Sequence, residues 1–507
     1  MGPLLRSADF ILQLISCLWS RHPRPGAGQE HFMTALMTDV QLVWFRNDLR
    51  VDDNIALSEA REAGPVVAVY CFCPVQLHAH DVGGNRVAFL LACLRELSAA
   101  LDELGVPLLI IEPGNFAAVP QALVDVARST GSQRLWFNEE YPLNEKRRDS
   151  AVTDRFAQHG WDVRACVDAV IQAPGTVLTG SDAPYTVFTP FRKRWISRFD
   201  RVSAAPRRRP APQARPQLAS TPMPDLPSDF TVTADLSAWP TSEDAVRSRL
   251  DAFVDQRVVH YSEARDFPAL EGTSSLSPYL ALGVLSVRTC LDLALTRNDG
   301  RIDGGEEGIA IWISELIWRE FYKHVVAAFP HVSCGHAFRR SYDDFPWRVD
   351  PQALTAWQQG RTGFPLVDAA MRQLVATGWM HNRLRMVAAM FLSKNLLLDW
   401  HAGERFFMGH LLDGDFAANN GGWQWSASTG TDAAPYFRIF SPISQSERFD
   451  PEGAFIRRWV PEVAGLDNKA LHDPNRRGAV AGYPAPIVDA KLSRRRAIDT
   501  FKAHANG

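Results

Sequence analysis

The feature that most constrains this chain is a change of hydrophobic period along its length. Up to about residue 167, short β-rich apolar runs alternate with stretches of helical spacing. From about residue 243 onward only helical spacing remains. Between the two, residues 203–240 are rich in Pro, Ala, Ser and Arg and include Arg207-Arg-Arg-Pro210, a composition that reads as a linker. Strands are expected over 40–45, 66–72, 107–111, 134–137 and 162–167, with helices over 86–104, 119–128 and 144–158. Strands alternating with helices imply βαβ units and a parallel sheet. Helices alone are expected over 247–257, 309–328, 366–377, 383–394 and 403–412. The fold class is therefore α/β plus all-α: an N-terminal Rossmann-like parallel-sheet lobe, a long linker and a C-terminal helical lobe. The expected boundaries are 38–170, 171–242 and 243–507. Residues 1–36 are expected to be a disordered extension or a mis-assigned start, with Met33 and Met37 as alternative starts.

Composition narrows the classes. At 507 residues, 46% hydrophobic and 22% charged, the chain matches soluble globular proteins. A net charge of −3 gives no global polyanion-binding field, so any nucleic-acid footprint is a local patch. Seven scattered cysteines suit free thiols in a reducing compartment. Cys71 and Cys73 read as small buried residues around a strand end, and His78 and His80 as surface residues. No Cys/His spacing suggests zinc, so no metal is expected. Phe10–Trp19 is apolar but too short to span a bilayer. No G-x-G-x-x-G follows a strand, which removes the usual dinucleotide fingerprint.

Three segments carry chemistry. Asp413-Gly-Asp415-Phe-Ala-Ala-Asn419-Asn420-Gly-Gly-Trp423-Gln-Trp425 packs carboxylates, amides, glycines and tryptophans into one run. A tight turn packed by tryptophan would not need both carboxylates, so a site for a planar ligand is favoured. Trp312, Glu315, Trp318, Arg319 and Tyr322 fall on one helical face. An aromatic stripe is usually core, but charges inside it cost too much unless they are paired or ligand-bound. Trp379, Asn382, Arg383 and Met386 repeat that logic after Gly378, with His381 expected to be structural. Glu271-Gly-Thr273-Ser274-Ser275-Leu276-Ser277-Pro278 reads as a capped helix start, Ser277 the N-cap and Pro278 the first helical residue. Such a start also suits a diphosphate. Arg46-Asn-Asp48-Leu-Arg50-Val-Asp-Asp53-Asn54 reads by itself as a solvated loop.

The Asp413–Trp425 run, with its continuation through Thr431, Asp432, Pro435 and Arg438, closely resembles the flavin-binding segment of the photolyase/cryptochrome family. The Arg46–Asn54 stretch resembles that family's N-terminal signature. The resemblance is closest to bacterial class I cyclobutane pyrimidine dimer photolyases. It implies FAD, working as FADH−, and light-driven repair of pyrimidine dimers in UV-damaged DNA by electron transfer to a flipped-out lesion. The residues it implies for FAD are Tyr261, Thr273, Ser274, Leu276, Ser277, Trp312, Glu315, Arg319, Trp379, Asn382, Arg385, Asp413, Asp415 and Asn419. Asp413 is expected to pair with Arg385, and Asp415 to accept from the ring's N–H edge. Glu315, Asn419, Met386, Trp318 and Trp425 are implied as the catalytic set. Arg265, Glu315, Trp318, Arg383, Met386, Trp425 and Arg438 are implied as DNA contacts. Trp423, Trp400 and Trp347 are implied as an electron relay, with Trp347 in a polar, exposed loop after Pro346. Asn144 and Glu145 resemble the contacts to a methenyltetrahydrofolate antenna. The region around Ser333, Cys334 and Gly335 departs from that pattern, and 8-hydroxy-5-deazaflavin is the alternative. The family often has Arg where Ser275 stands. A monomer in the bacterial cytoplasm, away from membranes, is expected. The rival readings are a cryptochrome-type photoreceptor without repair activity and a non-photochemical flavin oxidoreductase.

Overall fold

The computed structural model describes residues 40–506, so the extension expected over 1–36 lies outside the described residues. Five strands, β1 (Gln41–Phe45), β2 (Val66–Cys71), β3 (Leu108–Ile111), β4 (Arg134–Asn138) and β5 (Asp162–Cys166), form a parallel sheet of order β3-β2-β1-β4-β5. Val43 is in register with Ala68 on one side and Trp136 on the other. Alternate residues face opposite sides. Val43, Phe45, Ala68, Tyr70 and Trp136 therefore enter the larger core. Leu42, Trp44, Val67, Val69, Leu135 and Phe137 enter a separate core under the other face. Strand order reverses at β1, and the crevice beyond the carboxyl ends of β1 and β4 is where such sheets bind ligands.

The expected strands and helices of this lobe are present with ends shifted by a few residues at most, and two further helices occur, Ile55–Ala63 and Pro74–Ala79. The first is capped by Asn54, whose side chain accepts from Leu57 N–H at 3.1 Å. The solvated loop expected at Arg46–Asn54 is corrected. Arg46, Asp48, Arg50, Asp53 and Asn54 are all buried. Their charges are tolerated because they are paired: Arg50 with Asp168 at 2.6 Å, Arg288 with Asp168 at 2.6 Å and with Asp53 at 3.0 Å. Arg50 also donates to Gly283 O at 2.9 Å, and Leu49 N–H to Leu282 O at 3.1 Å. The seam between the lobes runs through this cluster. Gly283, at φ +68°, lies so close to Asn47 and Asp48 backbone that a Cβ has no room.

Residues 171–242 contain a helix, Phe188–Arg198, whose Phe188, Phe191 and Trp195 are buried in the larger core. The Pro-rich stretch beyond it lies against the sheet lobe. Gln213 accepts from Val66 N–H and donates to Val66 O, each at 2.8 Å. Phe230 and Trp239 from this stretch are buried in the same core.

The remainder is helical. The helix expected over 383–394 instead runs Asn382–Met390 and continues as a π-helical turn, Phe391–Leu396. Lys394 in that turn is fully buried, donates to Ser428 Oγ at 2.7 Å and lies 3.7 Å over the Phe501 ring. The isolated bridge Arg348–Leu398 is the extended pairing found in this lobe among the described residues. Among the described residues no helix is long and apolar enough to cross a membrane.

Candidate flavin and lesion site

The Glu307–Ala328 helix is the spine of the site. On successive turns of one face it presents Glu315, Arg319 and Lys323. Glu315 pairs with Arg265 at 2.8 Å. Burial pushes the Glu315 carboxyl above its ordinary range, with Arg265 opposing. Arg319 donates to the backbone carbonyls of Ala169 at 2.6 Å and Leu280 at 3.1 Å. Lys323 Nζ donates to Asp415 Oδ2 at 2.7 Å. Trp312 is buried against Phe253, ring centroids 5.2 Å apart. Trp318 lies flat on Phe188 at 3.6 Å and 10°. Phe188 was not singled out from sequence, and nothing in its local pattern marks it.

The Asn382–Met390 helix packs near the same place. His381 caps it, Nδ1 accepting from Arg383 N–H at 3.2 Å. Burial pushes the His381 imidazole down to about 4, which keeps that nitrogen an acceptor. Its structural reading holds. Arg385 pairs with Asp413 at 2.7 Å, as expected. Arg383 pairs with Asp266 at 2.7 Å and lies 4.4 Å over Phe449. Asn382 is exposed and Met386 half-buried.

Asp415 Oδ1 caps the Phe416–Ala427 helix by accepting from Ala418 N–H at 3.0 Å. Asn419 is half-buried and donates to Glu404 O at 3.0 Å; Asn420 donates to Glu404 Oε1 at 2.8 Å. Gly421 is where this helix meets Tyr322, whose ring occupies the space a Cβ would need. Trp425 is half-buried. Arg438 is exposed on a loop tied down upstream, where Asp432 N–H and Thr431 Oγ1 both donate to Thr186 O.

The Glu271–Pro278 segment needs one correction. The helix is Ser277–Leu282 with Leu276 at the N-cap position, and no side chain caps it. Ser277 Oγ instead accepts from Trp379 Nε1 at 3.3 Å, which takes it away from its own backbone. A helix of six residues has little dipole, so the anion-binding capacity here rests on side chains. Thr273 and Ser274 are half-buried with hydroxyls that make no hydrogen bond among the described residues. Tyr261 is buried beside them in sequence, under Arg265 at 5.3 Å. Ser275 sits at φ +51°, a left-handed conformation that is uncommon outside glycine.

Trp423 and Trp400 are buried in one core cluster, with Trp347 packed against it. Trp347 is half-buried rather than exposed, because Phe345 and the C-terminal Phe501 cover it at 4.4 and 6.1 Å. Trp357, which sequence reading passed over, meets Trp423 edge-on at 6.0 Å.

A cavity of about 420 Å³ opens between the lobes at the carboxyl edge of the sheet. Asn144 and Glu145 line it, as do Ser333 and Gly335. His80, expected on the surface, lines it too, 3.0 Å from Asn144 Nδ2 and 3.5 Å from Glu145. Burial, then the charge of Glu140, pushes Glu145 up to about 7. Arg46 lies over the Trp44 and Phe137 rings at 4.5 and 4.6 Å, and the buried Tyr141 Oη on the same lining makes no hydrogen bond among the described residues. Arg319, Lys323 and Asp415 border the cavity, whereas Glu315, Trp318, Met386 and Trp425 do not. Among the described residues no group of His, Cys, Asp or Glu is placed to hold a metal ion.

Comparison with known proteins agrees with this arrangement. The family described as DNA photolyase matches residues 41–214, and the FAD binding domain of DNA photolyase matches residues 312–503. The deoxyribodipyrimidine photo-lyase of Salmonella typhimurium is 46% identical, over 92% of this chain and 99% of its own length. The crystal structure of a bacterial class III photolyase from Agrobacterium tumefaciens is 35% identical with a TM-score of 0.83, covering 93% of this chain and 98% of that one. A Synechocystis cryptochrome structure is 28% identical with a TM-score of 0.80, covering 91% of this chain and 99% of that one. With a sheet lobe and a helical lobe each matching over most of its length, and a full-length relative at this identity, the chain belongs to the DNA photolyase family.

Proposed function

We propose that this protein repairs cyclobutane pyrimidine dimers in DNA with light, using bound reduced FAD as the electron donor. The observation that carries the reading is the charge pattern on the Glu307–Ala328 face and its neighbours. Asp413 and Asp415 each have their own cation, while Arg319 spends its donors on carbonyls. No bare carboxylate then opposes an anionic ring, and one guanidinium charge remains to favour it. The residues fit the group. Tyr261, Thr273, Ser274, Leu276 and Ser277 would hold the diphosphate, two of them with free hydroxyls. Trp312, Arg319, Trp379, Asn382, Arg385, Asp413, Asp415 and Asn419 would flank the ring system. Asn419 meets it with a neutral amide, which adds no charge. When bound and photo-excited, the reduced flavin supplies one electron to the lesion and regains it after the dimer splits.

The protein's own work is recognition and charge control. A dimer flips out more readily than an intact pair because its stacking is already poor. Trp318, held flat by Phe188, with Met386 and Trp425 offers apolar walls. Arg265, Arg383 and Arg438 face phosphates. As Arg265 turns towards DNA, Glu315 loses its countercharge and its carboxyl rises further, so it can donate to a base carbonyl. The inter-lobe cavity, lined by His80, Asn144, Glu145 and Arg148, supports a flat polar antenna. Methenyltetrahydrofolate against Asn144 and Glu145 is favoured, and 8-hydroxy-5-deazaflavin is the alternative. Trp423, Trp400 and Trp347 form the relay that returns the flavin to its reduced state. The enzyme works as a monomer in the bacterial cytoplasm. The deciding experiment illuminates reduced, flavin-loaded protein with an oligonucleotide carrying one thymine dimer and scores restored thymines. Flavin-loaded protein that restores none sinks the repair reading in favour of a photoreceptor.

A further inference from the structure

Lys323 and Asp415 both border the inter-lobe cavity, with the Lys323 ammonium 2.7 Å from the carboxylate and Gly414, Phe416 and Ala417 beside them. Asp415 is held from two directions, Oδ2 by Lys323 and Oδ1 by Ala418 N–H, which fixes its plane. An ionised carboxylate has about four acceptor positions, so lone pairs remain for a third donor. Burial alone would push the Asp415 carboxyl up, but Lys323, then Arg319, outweigh it and hold it well below the usual range. Burial draws the Lys323 ammonium down, with Asp415 opposing and Arg319 adding to the fall. The other charged groups facing the pair are Arg86 from the Gly84–Glu103 helix, Asp413 on the same loop, and Glu140 beyond β4. Arg86 donates to Gly414 O, so Lys323 is the cation in direct contact with the Asp415 carboxylate.

We propose that Lys323 is a positioning residue for the flavin: it keeps Asp415 ionised and oriented to accept from the N–H edge of the ring. This rests on the FAD reading above. A lysine here acts through another side chain, so its signature is a pH profile rather than a plain loss of activity. In Lys323→Met, Asp415 is buried without its contact cation and its carboxyl titrates in an accessible range. It accepts as an anion only above that range. The measurement is the FAD dissociation constant, by flavin fluorescence, from about pH 5 to about pH 9. Wild-type protein should show a flat profile. Lys323→Met should bind about tenfold more weakly at the acid end and recover as pH rises, the difference between a charge-assisted and a neutral hydrogen bond. Lys323→Arg should restore the flat profile. Adding Asp415→Asn to Lys323→Met should remove the pH dependence. Should Lys323→Met not fold, Lys323→Gln keeps a donor without charge and should show the same acid weakening. A flat, wild-type profile in Lys323→Met, or in Lys323→Gln, overturns the role while leaving the FAD reading intact. Wild-type protein that binds no FAD overturns both.

Discussion

Two charged clusters in this molecule are built on opposite plans. At the seam, Arg50, Asp53, Asp168 and Arg288 are closed on themselves, with every side chain no more than 5% exposed. Along the Glu307–Ala328 face Glu315 and Lys323 each stand in a single pair and Arg319 donates to carbonyls, and Glu315 and Arg265 keep 32% and 24% of their side-chain surface. The seam has two cations and two anions sharing one another, which serves to lock two lobes in one orientation. The site has separate pairs, each with surface left open beside it. Burial with reciprocal pairing makes a latch; partial exposure with single pairing makes a site.

The two clusters should differ most in what they contribute to stability. Arg288→Ala leaves Asp168 with Arg50 alone and strips buried Asp53 of its paired cation, and should destabilise the protein by about 3–5 kcal/mol in denaturant titration. Arg265→Ala, at the site, should cost about 1 kcal/mol or less. Equal losses would erase the distinction. A related test uses pH at the cavity. Glu145 has an ordinary value of 4.5 and stands at about 7 in the fold. The stability it contributes is complete below the lower value and lost as pH rises through the upper one. Between those limits the fold should lose about 3 kcal/mol relative to Glu145→Gln, read as the difference between the two stability–pH curves. Parallel curves would mean the carboxyl is solvated.

Finer tests sharpen the site itself. Glu315→Ala should retain FAD in its absorption spectrum yet lower repair yield, through loss of a hydrogen bond worth about 1.5–3 kcal/mol if charge-assisted. Unchanged yield would reduce Glu315 to a partner for Arg265. Trp347→Phe should leave repair by chemically pre-reduced enzyme nearly untouched and slow photoreduction of the oxidised flavin. Equal photoreduction would point to the Trp357 contact on Trp423 as the working exit.

The clustering of charge on the Glu307–Ala328 face was legible before the fold was known, and the reason is local spacing. Glu315 and Arg319 share a helical face whatever the helix packs on, so a need for partners could be inferred. The Asp413–Arg385 pair, which joins two segments, was expected from the family resemblance and not from spacing. Asn54 shows the opposite: it caps the Ile55–Ala63 helix, which the reading of Arg46–Asn54 as a solvated loop did not anticipate. Ser277 shows the limit. Its type and place favour a cap, yet Trp379, about a hundred residues on, recruits its hydroxyl.

The amino-acid sequence by itself determined the two lobes, since hydrophobic period is a property of neighbouring residues and sets which face each element must bury. It determined most of the side-chain chemistry as well, because carboxylates, amides and tryptophans that dense have few structural uses. Tertiary structure decided most of the partnerships. Arg46–Asn54 became a buried knot because Asp168 and Arg288 arrive from other segments to neutralise it. Trp347 is covered because a C-terminal helix brings Phe501 across it. Lys323 found its carboxylate partner in Asp415, ninety-two residues away. The free energy of a buried charge depends on what surrounds it within a few ångströms, and that neighbourhood exists only once the chain has closed on itself.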